Sequence, residues 1–586
     1  MPFIQNIRSN ESHAISLAVF FGLCFLLIDP LAYHSFTALK NVVFIVGTPA
    51  FLVWAGFTSN KIKIGWIAAL FCLRIVWLVS TNPEWLLHPS NDGFYLTIST
   101  LVLLITINNI DQEKFFNVLL WVIFISGVLQ TVIALYQLTT FVPNPSAPIK
   151  TPFIGTFGTS NGLGIFLTIS LISGAALSFL NRSIYLYAFT SFVGLGLLFT
   201  ESRGAILAFI VSFSSLAGIF AIQRMRTKKQ KGLFISTLSV VIVLSGLFLY
   251  KADIESSSGR WMLWEITSIM IEENPVFGVG PGNYATEYLN YQAVYFEDES
   301  HADKAHKAAN IKQAHNEFLQ SFAEGGILSG ILLFSMWILP IVFLFKKLNT
   351  EYYILNLARL GILVSILIHS LIDSPLHVLP VAIVGYATIA TMDKTLFIFP
   401  KWSKYAWVIL LSVYITFMTI KKGSVYFGHH YWKQGVEHIH REQWSLAIND
   451  LEVALERLPN KGELLYQLGA AHIFDGQYTR GTYYIGESKK YFNDRNIYLS
   501  EAYGLMKLEK YAEAEESVTT ALSMFPTHLA PHLLLGEIYF YLGEIEDSKA
   551  SLQKCIIENT PIKSPETKQI SEDALILWER FYGSYY

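Results

Sequence analysis

The feature that most limits how this chain folds is a recurrence of apolar runs about 20 residues long, divided by short polar turns. Thirteen such runs lie near 14–33, 38–58, 62–80, 92–110, 115–140, 160–180, 183–199, 204–222, 232–250, 326–346, 354–373, 376–393 and 404–421. A helix needs about 20 mostly apolar residues to cross a bilayer. In lipid every backbone polar group must be satisfied internally, so runs of this length read as spanning helices. Charged residues make up only 15% of the chain, against about 25% in soluble domains. The expected fold class is all-α: a polytopic helical membrane protein of about 12–13 transmembrane helices, followed by a soluble helical tail. The N-terminal run has no small-residue cleavage site after it and reads as a retained first span.

Lysine and arginine in short loops set the orientation. With the N-terminus inside, the inner connections hold Lys61, Lys63, Lys114, Arg182, the Arg224–Lys231 cluster, Lys346, Lys347, Lys394, Lys401 and Lys404. The short outer loops hold only Lys40, Lys150 and Arg203. This bias places the long polar stretch after residue 250, and the tail, outside the cytoplasm. The outer loops also concentrate turn chemistry: Phe141–Gly164, the TESRG turn at Thr200–Gly204, and HSLIDSPLHVLP at His369–Pro380. The expected domains are an N-terminal transmembrane bundle (1–250), an outer catalytic loop (251–325), C-terminal transmembrane helices (326–421) and a repeat domain (427–586).

Net charge is −3, which gives no electrostatic footprint for nucleic acid. Three cysteines, Cys24, Cys72 and Cys555, support neither a disulfide framework nor a cysteine metal site. The histidines of HADKAH (His301, His306) lack structural zinc spacing. No metal and no cofactor is expected, and the nucleotide-type phosphate loop is absent.

From about Phe427 a unit of about 34 residues repeats, a period at which helix pairs stack into solenoids. Gly435, Gly469, Ala502 and Gly536 form one column; Trp444, Tyr478, Tyr511 and Ile545 a second; Ala447, Gly481, Ala514 and Ser548 a third. Three columns in register resemble the tetratricopeptide pattern and imply an α-solenoid that binds protein, or packs on its own neighbour.

Candidate chemistry gathers around the 251–325 loop. Arg203 stands at the end of a span on the side where basic anchors are scarce. Arg260 opens GRWMLWE. Two guanidinium groups suit a pyrophosphate, because each forks onto two oxygens and stays charged. His315, in KQAHNEFLQSFAEGG, is of the residue type that serves as a general base near neutral pH. Asn316 and Glu324 follow it, on a helix expected to run into the span that starts near Gly326. The GVGPGNY turn, with Gly280, Gly282 and Asn283, offers backbone N–H groups to an anion.

The SRGA, GRWMLW, NPVFGVGPGNY and HNEFLQSFAEGG segments, with GTFGTSNGLG before them, resemble the O-antigen ligase superfamily over about Ile154–Pro380. That superfamily covers lipopolysaccharide O-antigen ligases, O-antigen polymerases and bacterial protein O-oligosaccharyltransferases. The resemblance implies a glycan donor on undecaprenyl pyrophosphate and metal-free transfer at the periplasmic face of the bacterial inner membrane. It implies that Arg203 and Arg260 hold the pyrophosphate, that His315 activates the acceptor hydroxyl, and that Asn316, Glu324, Gly280, Gly282 and Asn283 contact substrate. The acceptor is left open among lipid A core, a protein Ser or Thr, and another glycan. The tail departs from the simplest ligases and leaves room for a protein partner. Two other classes compete: a transporter of lipid-linked glycan, and an envelope scaffold acting through its tail.

Overall fold

In the computed structural model, residues 9–58, 62–87, 92–140, 153–224, 254–348, 352–400, 403–557 and 564–585 are described, with Thr227, Gln230 and Ser236 between the fourth and fifth stretches. The expected span at 232–250 and the outer loop at 141–152 lie outside them. The chain is overwhelmingly helical. In order come α1 (Ser9–Leu26), α2 (Ala38–Thr58), β1 (Ile62–Gly65), α3 (Trp66–Thr81), α4 (Glu84–Leu87), α5 (Asp92–Asn108), α6 (Gln112–Thr140), α7 (Ser160–Asn181), α8 (Ile184–Phe199) and α9 (Arg203–Arg224). Then follow α10 (Ile254–Glu273), α11 (Tyr284–Glu297), α12 (Glu317–Lys347), α13 (Tyr353–Ser370), α14 (Leu379–Ala390), β2 (Thr395–Phe399) and α15 (Ser403–His440). Eight further helices run from Trp444 to Tyr582.

Among the described residues six helices are long and apolar enough to cross a membrane: Gln112–Thr140, Ser160–Asn181, Arg203–Phe220, Glu317–Lys347, Tyr353–Ser370 and Tyr405–His440. Six shorter apolar helices accompany them, and the chain is a multi-pass membrane protein. Two expected runs change character. The run at 376–393 holds a helix of only 12 residues, α14, about 18 Å at 1.5 Å per residue and too short to cross alone. The run at 404–421 expected as a short span is part of the 38-residue α15, which continues past Phe427, so no linker precedes the repeats.

Two devices hold the bundle at the end opposite the candidate site. β1 pairs antiparallel with β2, an addition to an otherwise helical fold. Asp393, beside β2, accepts from the Ile67 N–H at the start of α3 at 3.2 Å. A carboxylate at a helix N-terminus satisfies donors that the helix cannot pair itself. Burial nevertheless dominates and raises the Asp393 acid to about 6. Arg359 of α13, fully buried, reaches Glu113 of α6 at 2.8 Å, Asn356 at 2.9 Å and Thr391 at 3.1 Å. Its guanidinium also lies over the Phe116 ring, 4.3 Å from the centroid. An arginine at this depth is tolerated only when paired, and removing one partner of such a pair costs about 3–5 kcal/mol.

The chain divides into two compact units. The first takes the helices up to Arg260 together with Ala314–Tyr426; the second takes Trp261–Gln313 together with Phe427–Tyr586. The loop drawn from sequence as 251–325 is therefore split, because its middle buries its apolar face on the tail. In the second unit Tyr284, Tyr288, Leu289 and Gln292 of α11 are buried. Gln292 donates to the Met524 carbonyl at 2.8 Å, and Asn493 donates to Thr286 O at 3.0 Å. Lys304 binds Glu265 at 2.7 Å and Tyr295 at 2.8 Å, tying the 3-10 turn Glu299–Lys307 to α10 and α11.

Within the tail, successive helices pack as neighbours where small residues face each other. A Cβ on Gly469 would lie 2.9 Å from the Gly481 carbonyl, and one on Gly536 would meet Leu552 at 2.6 Å. Gly435 lies against Leu451 and Ala447 in the same way, and Ala502 and Ala514 share one apolar cluster. The first and third sequence columns are thus the two sides of one recurring contact, where close backbone approach excludes a larger side chain.

Candidate functional site

In the first unit, the three polar outer loops picked out from sequence meet. Thr159 caps α7 by accepting from Gly162 N, and the next residues reach the SRGA turn: Ser202 donates to Asn161 at 2.9 Å. Gly164 has no room for a side chain, since a Cβ there would lie 2.9 Å from both Ser202 and Ala205. The Gly204 backbone packs on the His369 ring and on Ile372, and Gly162 packs on Val378. Arg203 is the first residue of α9. These contacts put the N-terminus of α9 against the His369–Pro380 loop.

His315 comes to the same place. It precedes α12 in a left-handed backbone, φ 46°, a conformation that costs about 1–3 kcal/mol outside glycine. The neighbouring contacts enforce it. Asn316 caps α12, its Oδ1 accepting from Phe318 N at 3.1 Å and Leu319 N at 3.0 Å. Its Nδ2 donates to Leu371 O at 3.1 Å. The Asn316 amide, expected from sequence to touch substrate, is committed to structure. On the other side Ala314 N donates to Gln320 Oε1 at 3.1 Å.

The His315 ring then pairs with Asp373, Nδ1 to Oδ1, at 2.9 Å. Asp373 also faces His369, whose Nε2 is 3.7 Å from Oδ2, and accepts from Ser374 N at 2.9 Å. Burial alone would raise the Asp373 acid. The hydrogen bond from His315, the two histidines and the Ser374 N–H outweigh it and hold the group at about 2. An ionised carboxylate only accepts, so His315 Nδ1 is the donor of this bond. His369 is buried and its Nδ1 has no hydrogen-bond partner; it lies against Gly204 and within the field of the Arg260 guanidinium. His315, Asp373, His369 and the Gly204 backbone form one connected constellation, and the Arg260 charge acts on His369.

Glu324 stands further along α12, where Gln320 donates to it at 3.1 Å. The helix breaks two residues later at Gly326, φ 68°, the position where the span was expected to begin. The freed Gly325 carbonyl accepts from Trp77 Nε1 at 2.8 Å. Gly280 (φ 101°), Gly282 (φ 84°) and Asn283 belong to the second unit, where Asn283 Nδ2 donates to Val279 O at 3.0 Å. Gly282 has open space around its Cα.

Four participants escaped the sequence reading. Asp373 and His377 lie in a loop already marked as polar, and the i,i+4 spacing of His369 and Asp373 was the available signal. Arg74, inside an apolar run, signals itself by its cost in lipid. Glu317 is buried. It accepts from Leu376 N at 2.6 Å and sits 3.4 Å from His377 Nδ1. Desolvation lowers His377, but the carboxylates of Glu317, Glu324 and Asp373 prevail and raise it to about 9.

Over 105 residues the chain is 30% identical to an uncharacterized protein of Haemophilus influenzae, a stretch covering 18% of this chain and 25% of that relative. The chain thus spans about a quarter of the length of the curated relative it matches. Residues 186–334, which include Arg203, Arg260, His315 and Glu324, match the family model described as O-Antigen ligase, so this part of the chain is similar to proteins of O-antigen ligase or polymerase type.

Proposed function

We propose that the chain transfers a glycan from undecaprenyl pyrophosphate to a hydroxyl acceptor at the periplasmic face of the bacterial inner membrane. The observation that carries this reading is the His315–Asp373 pair, set beside the SRGA turn and the Arg260 charge. His315 Nε2 takes the acceptor hydroxyl proton as the oxygen attacks the anomeric carbon. The bond from that carbon to the pyrophosphate oxygen breaks, with inversion. Asp373 holds the ring in the required tautomer and stabilises the imidazolium. Arg203, Arg260 and the N-terminus of α9 neutralise the departing pyrophosphate. Asn316 is a positioning residue that fixes the backbone of His315. The open, left-handed turn Gly278–Asn283 is retained as a substrate-contacting segment. No step requires a metal or cofactor.

Among acceptors the lipid A core is the first choice, since the matched segment is of ligase type. A protein or another glycan would follow the same chemistry. The tail is proposed to be a tetratricopeptide-like solenoid whose first task is to seat residues 261–313, which favours an internal role over capture of a protein acceptor. A glycan transporter is disfavoured because His315, Asp373, His369, Glu317, His377 and Glu324 gather at one end of the bundle. The deciding experiment incubates membranes with a lipid-pyrophosphate-linked glycan and a core-lipid acceptor. Wild type makes the conjugate and His315→Ala does not, while both insert equally; conjugate formation by the variant removes the base role.

A further inference from the structure

Beside the histidine–aspartate pair the first unit holds a cavity of about 380 Å³, within the size range of small-molecule sites, about 300–1,000 Å³. Its wall carries Arg74, Glu317, Gln320, Glu324, His377 and Tyr386, with the hydroxyls of Thr37, Thr97 and Thr100. It is formed by the starts of α2, α5 and α12, the middle of α3, the loop after α13 and α14, so it lies at the same end of the bundle as His315. The cavity abuts the constellation, since Asp373 and Glu324 both act on His377.

Its charge balance differs from that of the arginine site. Glu317 and Glu324 stand against Arg74 and His377, two acidic and two basic side chains. Arg74 is held by Ser329 at 3.1 Å and Ser321 at 3.3 Å, both neutral. Phe71, Leu96, Leu333, Leu376 and Tyr386 supply apolar faces. Two acids among two bases leave a diphosphate no surplus of positive charge here. A ring with several hydroxyls and an apolar C–H face meets complementary groups throughout.

From this juxtaposition we infer that the Arg74–Glu317–Glu324–His377 cavity is a subsite for an uncharged pyranose, distinct from the subsite for the pyrophosphate. The inference rests on the transfer reading above and deepens it. The sugar arrives either as the first residue of the lipid-linked donor or as the terminal residue of the acceptor; the chemistry is shared.

The test measures binding rather than turnover, on the full-length protein in nanodiscs. Probes are undecaprenyl pyrophosphate without sugar, undecaprenyl-pyrophosphoryl-N-acetylglucosamine, and a core oligosaccharide freed of lipid. Glu324→Gln keeps shape and removes one charged acceptor; Arg74→Gln removes a charged donor. Either change should weaken binding of one sugar-bearing probe about tenfold, the loss of one charge-assisted hydrogen bond, with sugar-free undecaprenyl pyrophosphate unchanged. Loss on the lipid-linked sugar identifies a donor subsite, and loss on the free oligosaccharide an acceptor subsite. Equal loss on the sugar-free lipid, or no loss on either sugar probe, overturns the inference. A failed transferase reading shows separately, as conjugate formation by His315→Ala.

Discussion

His315 Nδ1 and Asp373 Oδ1 lie 2.9 Å apart although the residues are 58 positions apart in the chain. The pair joins the loop before α12 to the loop after α13, and it decides which ring nitrogen of His315 is free to take a proton. Asp373→Asn keeps the size of the side chain and removes that control. Transfer should fall about 10²–10⁴-fold, the usual contribution of a positioned base, with KM for the lipid-linked donor nearly unchanged. A kcat within twofold of wild type would make the pair structural only.

Arg203→Lys and Arg260→Lys separate charge from geometry. Lysine keeps the charge but cannot fork onto two oxygens. Each should raise KM for the lipid-linked donor, and Arg203→Lys should also lower kcat where charge develops on the leaving group. Steady-state kinetics at varied donor decide it; unchanged constants in both variants would detach the arginines from the pyrophosphate.

The Glu317–His377 contact predicts an alkaline loss of stability. Folding raises His377 from about 6.5 to about 9, so its stabilisation is complete below pH 6.5 and disappears as pH rises through 9. Thermal unfolding in detergent should show Tm falling between pH 7 and 9.5, and His377→Gln should flatten that slope. Asp373 runs the other way. Its acid is held at about 2, so its contribution is present above about pH 4 and is lost as pH falls toward 2.

Gly65→Ala tests the capping carboxylate away from the site. A Cβ there would lie 1.9 Å from Asp393 Oδ2, so the carboxylate must leave its seat at the head of α3. Overpacking of this kind costs about 1–3 kcal/mol. Tm should drop while KM for donor is unchanged; a Tm equal to wild type would show that the junction gives way freely.

Truncation after His440 removes the surface on which α11 lies. Tyr288 and Gln292 are buried by it. Residues 261–313 should then become sensitive to protease, and transfer should fail even though His315 and Asp373 belong to the other unit. Full transfer by the truncated protein would assign the tail to a partner instead.

Much of this molecule was legible in local pattern. The apolar runs specify helices because lipid leaves the backbone no other partner. The small-residue columns of the tail fall where helices touch. Arg203, Arg260 and His315 stood out as polar groups beside the spans, whereas the break at Gly326 lies where a helix was expected to run on into its span. The partners of those residues did not. Asp373 and His377 are one of several polar pairs in a proline-rich loop, and Arg74 sits in a run that scores as lipid-facing. That Asn316 caps a helix was not legible either, because capping depends on where a helix starts. The division of the 251–325 loop also follows from burial, not from composition.

The sequence by itself determined the helices, their membrane character and the residue types available for transfer, since these rest on local hydropathy and chemistry. Only the tertiary structure decided which histidine has a carboxylate behind it, which glutamate faces a cavity, and which segment the tail holds. Those are distances between residues far apart in the chain, set by packing that no local pattern encodes.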